Sequence, residues 1–270
     1  MSSADVRFVA AAGTTFAYRE WGSGDLAVLL HGFGMDGRMW RHVCERIGAR
    51  RRCVALDLRG AGRTAPGAGP SVPLERHADD VAAVIRALGA ERADAVGFSL
   101  GGHVLTALLE RHPGVVRSAA FIGARANADD PATVAGRDAL VRTLLEQGRG
   151  AAFRALLPRL VGPDASDHVR AQLRTMMEEQ PYEGLIAAQH ALRDRPDRLD
   201  VLARLAIGVL VIAGEHDAFA PMPLPADMAA AARDGRLEVV DGVGHTMPLE
   251  CPDTVARLLA ESWDRTDSAR

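Results

Sequence analysis

Patterns typical of β-strands and α-helices alternate along most of this chain, and this alternation is the feature that most restricts its fold. Strand-like apolar runs lie at 6–10, 15–21, 26–31, 53–58, 93–98, 115–123, 206–213 and 237–240. Helical patterns separate most of them, at 39–47, 74–88, 100–111, 225–232 and 252–263. Strands that are joined through helices pair in parallel. The sequence therefore predicts an α/β fold with a mostly parallel, eight-stranded sheet flanked by helices.

One long segment interrupts the alternation. From 125 to 204 the strand signals are absent, and amphipathic helical stretches such as 139–146, 151–160 and 169–179 take their place. We expect residues 125–204 to form an all-helical cap, inserted into a core made of residues 1–124 and 205–270. The last residues, after the helical pattern that ends near Trp263, are expected to fray.

Composition excludes several classes of function. All 32 Lys and Arg residues are arginines, so no lysine Schiff base can form. The formal charge of -3 without a basic run gives no reason to expect nucleic acid or a membrane surface as a partner. The isolated Cys44, Cys53 and Cys251 suggest neither disulfides nor a metal site. We expect a cytoplasmic protein without cofactor or metal, whose oligomeric state the sequence leaves open.

A serine motif stands at a position where it can be chemically active. Gly97-Phe98-Ser99-Leu100-Gly101 lies between a strand-like run and a helical pattern. A serine on such a sharp turn needs glycines two residues before and after it, because no side chain fits there. The start of the following helix also favours negative charge near the serine. Ser99 is therefore the predicted nucleophile, with a simple helix cap as the alternative.

Further motifs make the chain resemble the α/β-hydrolase family. The resemblance is closest to the capped small-molecule serine esterases and enol-lactonases of that family. His31-Gly32-Phe33-Gly34 looks like the turn that helps to build the family's oxyanion hole, and Asp57 to Thr64 is similar to a structural segment, with Thr64 replacing the usual serine. The resemblance implies that the backbone N–H groups of Phe33 and Leu100 bind the oxyanion.

The same resemblance assigns the other two catalytic residues. Asp217 follows the strand-like run 206–213 and His245 follows the run 237–240, so the chain order Ser, Asp, His agrees with the family. His245 is the implied base and Asp217 the acid that orients it. Asp129 or Asp130, after the preceding strand, are alternative acids. Glu250 and Pro252, in the tail of the histidine loop, are assigned structural roles.

The substrate implied by this resemblance is a small-molecule carboxylic ester or lactone, which is cleaved through an acyl-enzyme. Cleavage of a carbon–carbon bond or perhydrolysis on the same triad is one alternative, and a non-hydrolytic catalyst or ligand-binding module is another. His31, Gly32 and Arg125 are candidates for substrate contact, with a solvated arginine as the alternative for Arg125. Four arginines of the insertion recur at spacings typical of solvated helix faces: Arg137, Arg142, Arg149 and Arg154.

Overall fold

The structure, a computed structural model, describes residues 5–67 and 72–268. Its eight strands are β1 (Arg7–Ala11), β2 (Thr14–Trp21), β3 (Leu26–Leu30), β4 (Arg52–Leu56), β5 (Ala93–Phe98), β6 (Val116–Ile122), β7 (Val209–Gly214) and β8 (Gly235–Val240). They form one sheet in the order β1-β2-β4-β3-β5-β6-β7-β8. Strand β2 pairs antiparallel with β1 and β4, and the other pairs are parallel. The predicted α/β fold is confirmed.

Helices cover both faces of the sheet because the central strands bury apolar side chains on both sides. The helices of the fold are α1 (Arg41–Ile47), α2 (Leu74–Ala87), α3 (Leu100–Arg111), α9 (Leu224–Ala231), α10 (Met247–Glu250) and α11 (Pro252–Ser268). On β3, Val28 and Leu30 join the apolar cluster of α2, α3 and α9, whereas Ala27 and Leu29 join that of α1 and α11. Successive side chains of β3 therefore point to opposite faces of the sheet, and each face is covered by one layer of helices.

Five further helices lie between β6 and β7: α4 (Pro131–Gln147), α5 (Arg149–Leu160), α6 (Asp167–Glu178), α7 (Tyr182–Arg193) and α8 (Leu199–Ala203). We call residues 125–204 the helical insertion. The chain enters the insertion from β6 and returns to the sheet at β7, which is the neighbouring strand. On the side of β3 and β4, the amide of Gln180 donates to Asp36 at 2.9 Å and accepts from the Gly62 N–H at 2.9 Å, and Arg38 pairs with Glu179.

Two details differ from the sequence prediction. The run 206–213 becomes a strand only at Val209. The C-terminal helix does not fray after Trp263 but continues to Ser268, because Arg51 bonds Asp267 at 2.8 Å and lies 5.2 Å from the centre of the Trp263 ring. Among the described helices, none is long and apolar enough to cross a membrane.

Candidate active site

Ser99 occupies a strained turn between β5 and α3. Its φ of 50° lies in the left-handed region, which is unfavourable for a residue with a side chain. The flanking glycines make the turn feasible: a Cβ at Gly97 would lie 2.5 Å from the Gly101 oxygen, and one at Gly101 would lie 2.2 Å from the Leu30 oxygen. The turn therefore presents Ser99 at the carboxyl edge of the sheet, where parallel folds place ligands.

Three predicted residues form one hydrogen-bonded row. The Ser99 hydroxyl lies 2.9 Å from Nε2 of His245, in the loop after β8, and Nδ1 of His245 lies 2.8 and 2.9 Å from the carboxylate oxygens of Asp217, which follows β7. Because a carboxylate only accepts, Nδ1 carries the proton and Nε2 is left to accept from the serine. The row therefore joins a hydroxyl, an imidazole and a buried carboxylate.

Asp217 is held in its charged form. Burial by itself raises its pKa, but the charge and hydrogen bond of His245 and the N–H groups of Ala220 and Phe219 lower the pKa overall. Phe219 N–H donates at 2.7 Å and Ala220 N–H at 3.0 Å to the same oxygen. These bonds fix the carboxylate, and through it the imidazole.

Two backbone amides are available beside Ser99. Within the described ranges, the N–H groups of Phe33 and Leu100 meet no hydrogen-bond acceptor. Phe33 follows β3 and lines the cavity at Ser99, and Leu100 is the first residue of α3. Free N–H groups at this edge can donate hydrogen bonds to an oxygen that becomes negative.

The three candidates for substrate contact are placed differently. His31 is buried with both ring nitrogens engaged: Nε2 accepts from the Leu58 N–H at 3.0 Å, and Nδ1 lies 2.9 Å from the Gly32 oxygen. This placement argues against substrate contact by His31. A Cβ at Gly32 would approach Phe98 and Ser99, so this glycine keeps space free behind the serine. Arg125 lines the cavity that contains Ser99.

This cavity measures about 560 Å³ and lies between the sheet edge and the helical insertion. Its wall includes Ser99 and His245 from the sheet edge, and Leu140 and Leu156 from α4 and α5. Ligand cavities of this size are mainly apolar with a few fixed polar groups. The space is large enough for a small molecule in contact with Ser99.

The alternative acids lie elsewhere. Asp129 binds Arg125, Arg137 and Arg195, whereas Asp130 is the N-cap of α4 and accepts from the Thr133 N–H at 2.7 Å. Neither carboxylate has a hydrogen bond to His245 among the described contacts. Among the described contacts, the carboxylate that is bonded to His245 therefore comes from the loop after β7 and not from the loop after β6.

Sequence reasoning missed several residues around the site. Phe219, for example, packs 5.0 Å from the His245 ring. Glu250, by contrast, was assigned a structural role from the sequence; it accepts from the N–H groups of Gly162 and Gly244 at 2.7 and 3.1 Å, which joins the helical insertion to the histidine loop. Arg137 does not lie on a solvated face: its side chain is 17% exposed and lines the cavity. Arg137 pairs with Asp129, which lies in the loop before α4. No local sequence pattern indicates such a contact, because it depends on how the chain folds.

Comparison with known proteins places the chain in a family. The model of the alpha/beta hydrolase family matches residues 27–258. The chain belongs to this family. A pimeloyl-[acyl-carrier protein] methyl ester esterase from Xanthomonas campestris pv. campestris is 34% identical over 88% of the chain and 94% of the relative, and a non-heme haloperoxidase from Rhodococcus erythropolis is 29% identical over 90% and 93%.

Solved alpha/beta hydrolases have the same fold. A thermophilic esterase from Thermogutta terrifontis superposes with a TM-score of 0.90 and 27% identity, over 97% of this chain and 99% of that one. The helical insertion is therefore included in the similarity. Together the relatives and the fold support hydrolase activity for this chain.

Proposed function

We propose that the protein is a serine hydrolase that cleaves a small-molecule carboxylic ester or lactone through an acyl-enzyme. The observation that carries the proposal is the row from Ser99 through His245 to Asp217, with 2.9 Å between the serine oxygen and Nε2. We further propose that the helical insertion, residues 125–204, is the cap that closes the cavity over the core formed by 1–124 and 205–270. Esterases among the relatives support the first point, and the cavity between the sheet edge and the insertion supports the second.

The proposed mechanism has two half-reactions that use the same groups. Nε2 of His245 accepts the Ser99 proton while Oγ attacks the carbonyl carbon, and the N–H groups of Phe33 and Leu100 bind the oxygen that becomes negative. His245 then returns the proton to the leaving alcohol oxygen as the carbon–oxygen bond breaks. His245 then takes a proton from a water molecule as the water oxygen attacks the acyl carbon, and it returns this proton to Ser99 Oγ as the bond between the acyl carbon and Oγ breaks and the acid is released. Asp217 stabilises the charged imidazole in both halves.

The proposal is tested by covalent labelling, which needs no knowledge of the substrate. We expect intact mass spectrometry after incubation with a fluorophosphonate to show one adduct on the wild type and none on Ser99→Ala. Ser166→Ala is the matched control, since Ser166 only caps α6 through the Val169 N–H, and it should label like the wild type.

Either of two results would contradict the proposal: an adduct that persists in Ser99→Ala, or no adduct on a folded wild type whose cavity admits the reagent. A screen of short methyl and 4-nitrophenyl esters completes the test. Ser99→Ala should lower kcat by several orders of magnitude, because only the oxyanion site and binding remain.

A further inference from the structure

Three arginines surround one carboxylate at the wall of the cavity. Asp129 has no exposed side-chain surface and pairs with Arg125, Arg137 and Arg195, the last at 2.6 Å. The arginines come from three places: the loop after β6, helix α4 and the segment after α7. Arg195 is 1% exposed, whereas Arg125 and Arg137 are 15% and 17% exposed and both line the cavity.

The guanidiniums in this cluster outnumber the carboxylates that pair with them. Asp129 can neutralise one guanidinium, and the adjacent Asp130 is exposed and already accepts from the N–H of Thr133. The charges of Asp130 and Asp217 also reach Arg125, but Asp217 is bonded to His245, and among the described ion pairs Arg125 and Arg137 pair with Asp129 alone. Gln189, which accepts from Arg137 at 3.4 Å, is neutral, and Arg198 nearby is paired with Glu75 and Glu110.

Neighbouring groups respond to this excess. Burial, and then the charges of Arg195, Arg137 and Arg125, lower the pKa of His103 well below its usual value, so this cavity-lining imidazole is neutral. Burial also lowers the pKa of Arg195 to about 10 despite its bond to Asp129. Nε of Arg195 has no hydrogen-bond partner among the described residues. A buried donor without a partner is costly. An anion in the cavity would be attracted by Arg125 and Arg137, which line it.

We propose that Arg125 and Arg137 form a carboxylate-binding subsite, so that the preferred substrates are esters or lactones that carry a carboxylate away from the scissile bond. The inference rests on the proposed function and names its substrate class. A guanidinium binds the two oxygens of a carboxylate side by side, and the low dielectric of a closed cavity strengthens the pair. The two guanidiniums that reach the cavity share one ion-pair partner, Asp129, so each keeps donors that a ligand carboxylate can use.

The test compares esters of equal shape and different charge. Monomethyl glutarate and methyl 5-methylhexanoate differ in that a carboxylate replaces an isopropyl group in the acyl part, and carboxymethyl butanoate and isobutyl butanoate differ likewise in the alcohol part. We expect the wild type to have the higher kcat/KM for the anionic member of at least one pair. The pair that shows the preference identifies the part of the ester that reaches Arg125 and Arg137.

Arginine variants locate the preference. Arg125→Gln and Arg137→Gln should each reduce the anionic-to-neutral ratio of kcat/KM by about 10-fold to 100-fold, the range expected for loss of a charge-assisted hydrogen bond. Arg142→Gln is the matched control: it lies on the same helix, is exposed and does not line the cavity, so the ratio should stay at the wild-type value. Either Gln variant leaves two arginines on Asp129, so folding should be retained, which thermal unfolding checks.

The outcomes separate the two proposals. Equal kcat/KM for both members of both pairs, or an unchanged ratio in the Arg125 and Arg137 variants, overturns the subsite while ester hydrolysis stands. Absence of any hydrolysis and of any fluorophosphonate adduct overturns the hydrolase instead. Binding does not need turnover: calorimetry of monomethyl glutarate and of carboxymethyl butanoate with Ser99→Ala should show an interaction for the ester that the wild type prefers, and this interaction should be lost in Ser99→Ala/Arg125→Gln. Absence of binding of both esters to Ser99→Ala would also count against the subsite.

Discussion

Single residues decide which carboxylate serves the histidine. The loops after β6 and β7 both end at the same edge of the sheet, so the sequence leaves Asp129 and Asp130 beside Asp217 as acids. In the structure Asp217 bonds Nδ1 of His245, while Asp129 is occupied by arginines and Asp130 caps α4. The distinction depends on side-chain distances across neighbouring strands, which no local sequence pattern encodes. The position of Ser99, by contrast, follows from glycines two residues away and could be predicted.

Replacement of the proposed acid should mainly affect turnover. We expect Asp217→Asn to lower kcat by about 10³-fold to 10⁴-fold, because an amide no longer holds the His245 tautomer that accepts from Ser99. Ester hydrolysis measured beside circular dichroism checks this. Asp130→Asn is the matched control, since asparagine also caps helices well, and it should retain activity. A large loss in Asp130→Asn together with an active Asp217→Asn would favour the alternative acid.

At the level of elements, the sheet was predictable because its strands are short apolar runs between turn signals. The central strand Leu26–Leu30 is buried throughout, and so is Ala93–Phe98. The helical insertion was predictable in type but not in placement. Helix α4 shows why. The spacing of Arg137 along this helix predicts a solvent-exposed side chain, yet Arg137 binds Asp129, which lies eight positions earlier, in the loop before the helix. Packing between helices sets that contact, and spacing along one helix does not report it.

The turn between β5 and α3 should tolerate no added methyl group. A Cβ at Gly101 would lie 2.2 Å from the backbone oxygen of Leu30, in a strand that cannot move without disturbing the sheet. We expect Gly101→Ala to lower the free energy of unfolding by about 1–3 kcal/mol, as overpacking does in other cores, and to displace Ser99. Urea unfolding measures the first effect and fluorophosphonate labelling the second.

Gly114→Ala provides the comparison. Nothing lies within 4 Å of a Cβ built at Gly114, which is exposed, so this variant should unfold and label like the wild type. If both alanine variants behaved alike, the close approach of Gly101 to β3 would not be what shapes the turn.

For the whole molecule, buried neutral histidines link stability to pH. His77 on α2 is 3% exposed, and burial, with the charges of His31 and Arg59, lowers its pKa from 6.5 to about 3. Between these values the unfolded chain binds a proton that the folded chain does not, so the free energy of unfolding falls as the pH falls from 6.5 towards 3. Each pH unit in that window costs about 1.4 kcal/mol for such a group.

A variant without this imidazole should lose that share of the pH dependence. We expect the free energy of unfolding of His77→Gln, measured in urea at pH 4, 5 and 6, to change less with pH than that of the wild type, by about 1.4 kcal/mol per unit. His42→Gln serves as the control because His42 is exposed on α1. Parallel slopes for wild type and His77→Gln would show that His77 is not the residue responsible.

The way in which the helical insertion is attached has a mechanical consequence. Its two chain connections run to the adjacent strands β6 and β7, and the opposite side is held by side-chain contacts of Gln180 and Glu179 with Asp36, Gly62 and Arg38. For the cap proposed above, this arrangement makes the two sides unequal. Separation at the side of Gln180 would break these hydrogen bonds and expose buried apolar contacts such as that of Met177, whereas separation at the chain connections would disturb β6 and β7 of the sheet.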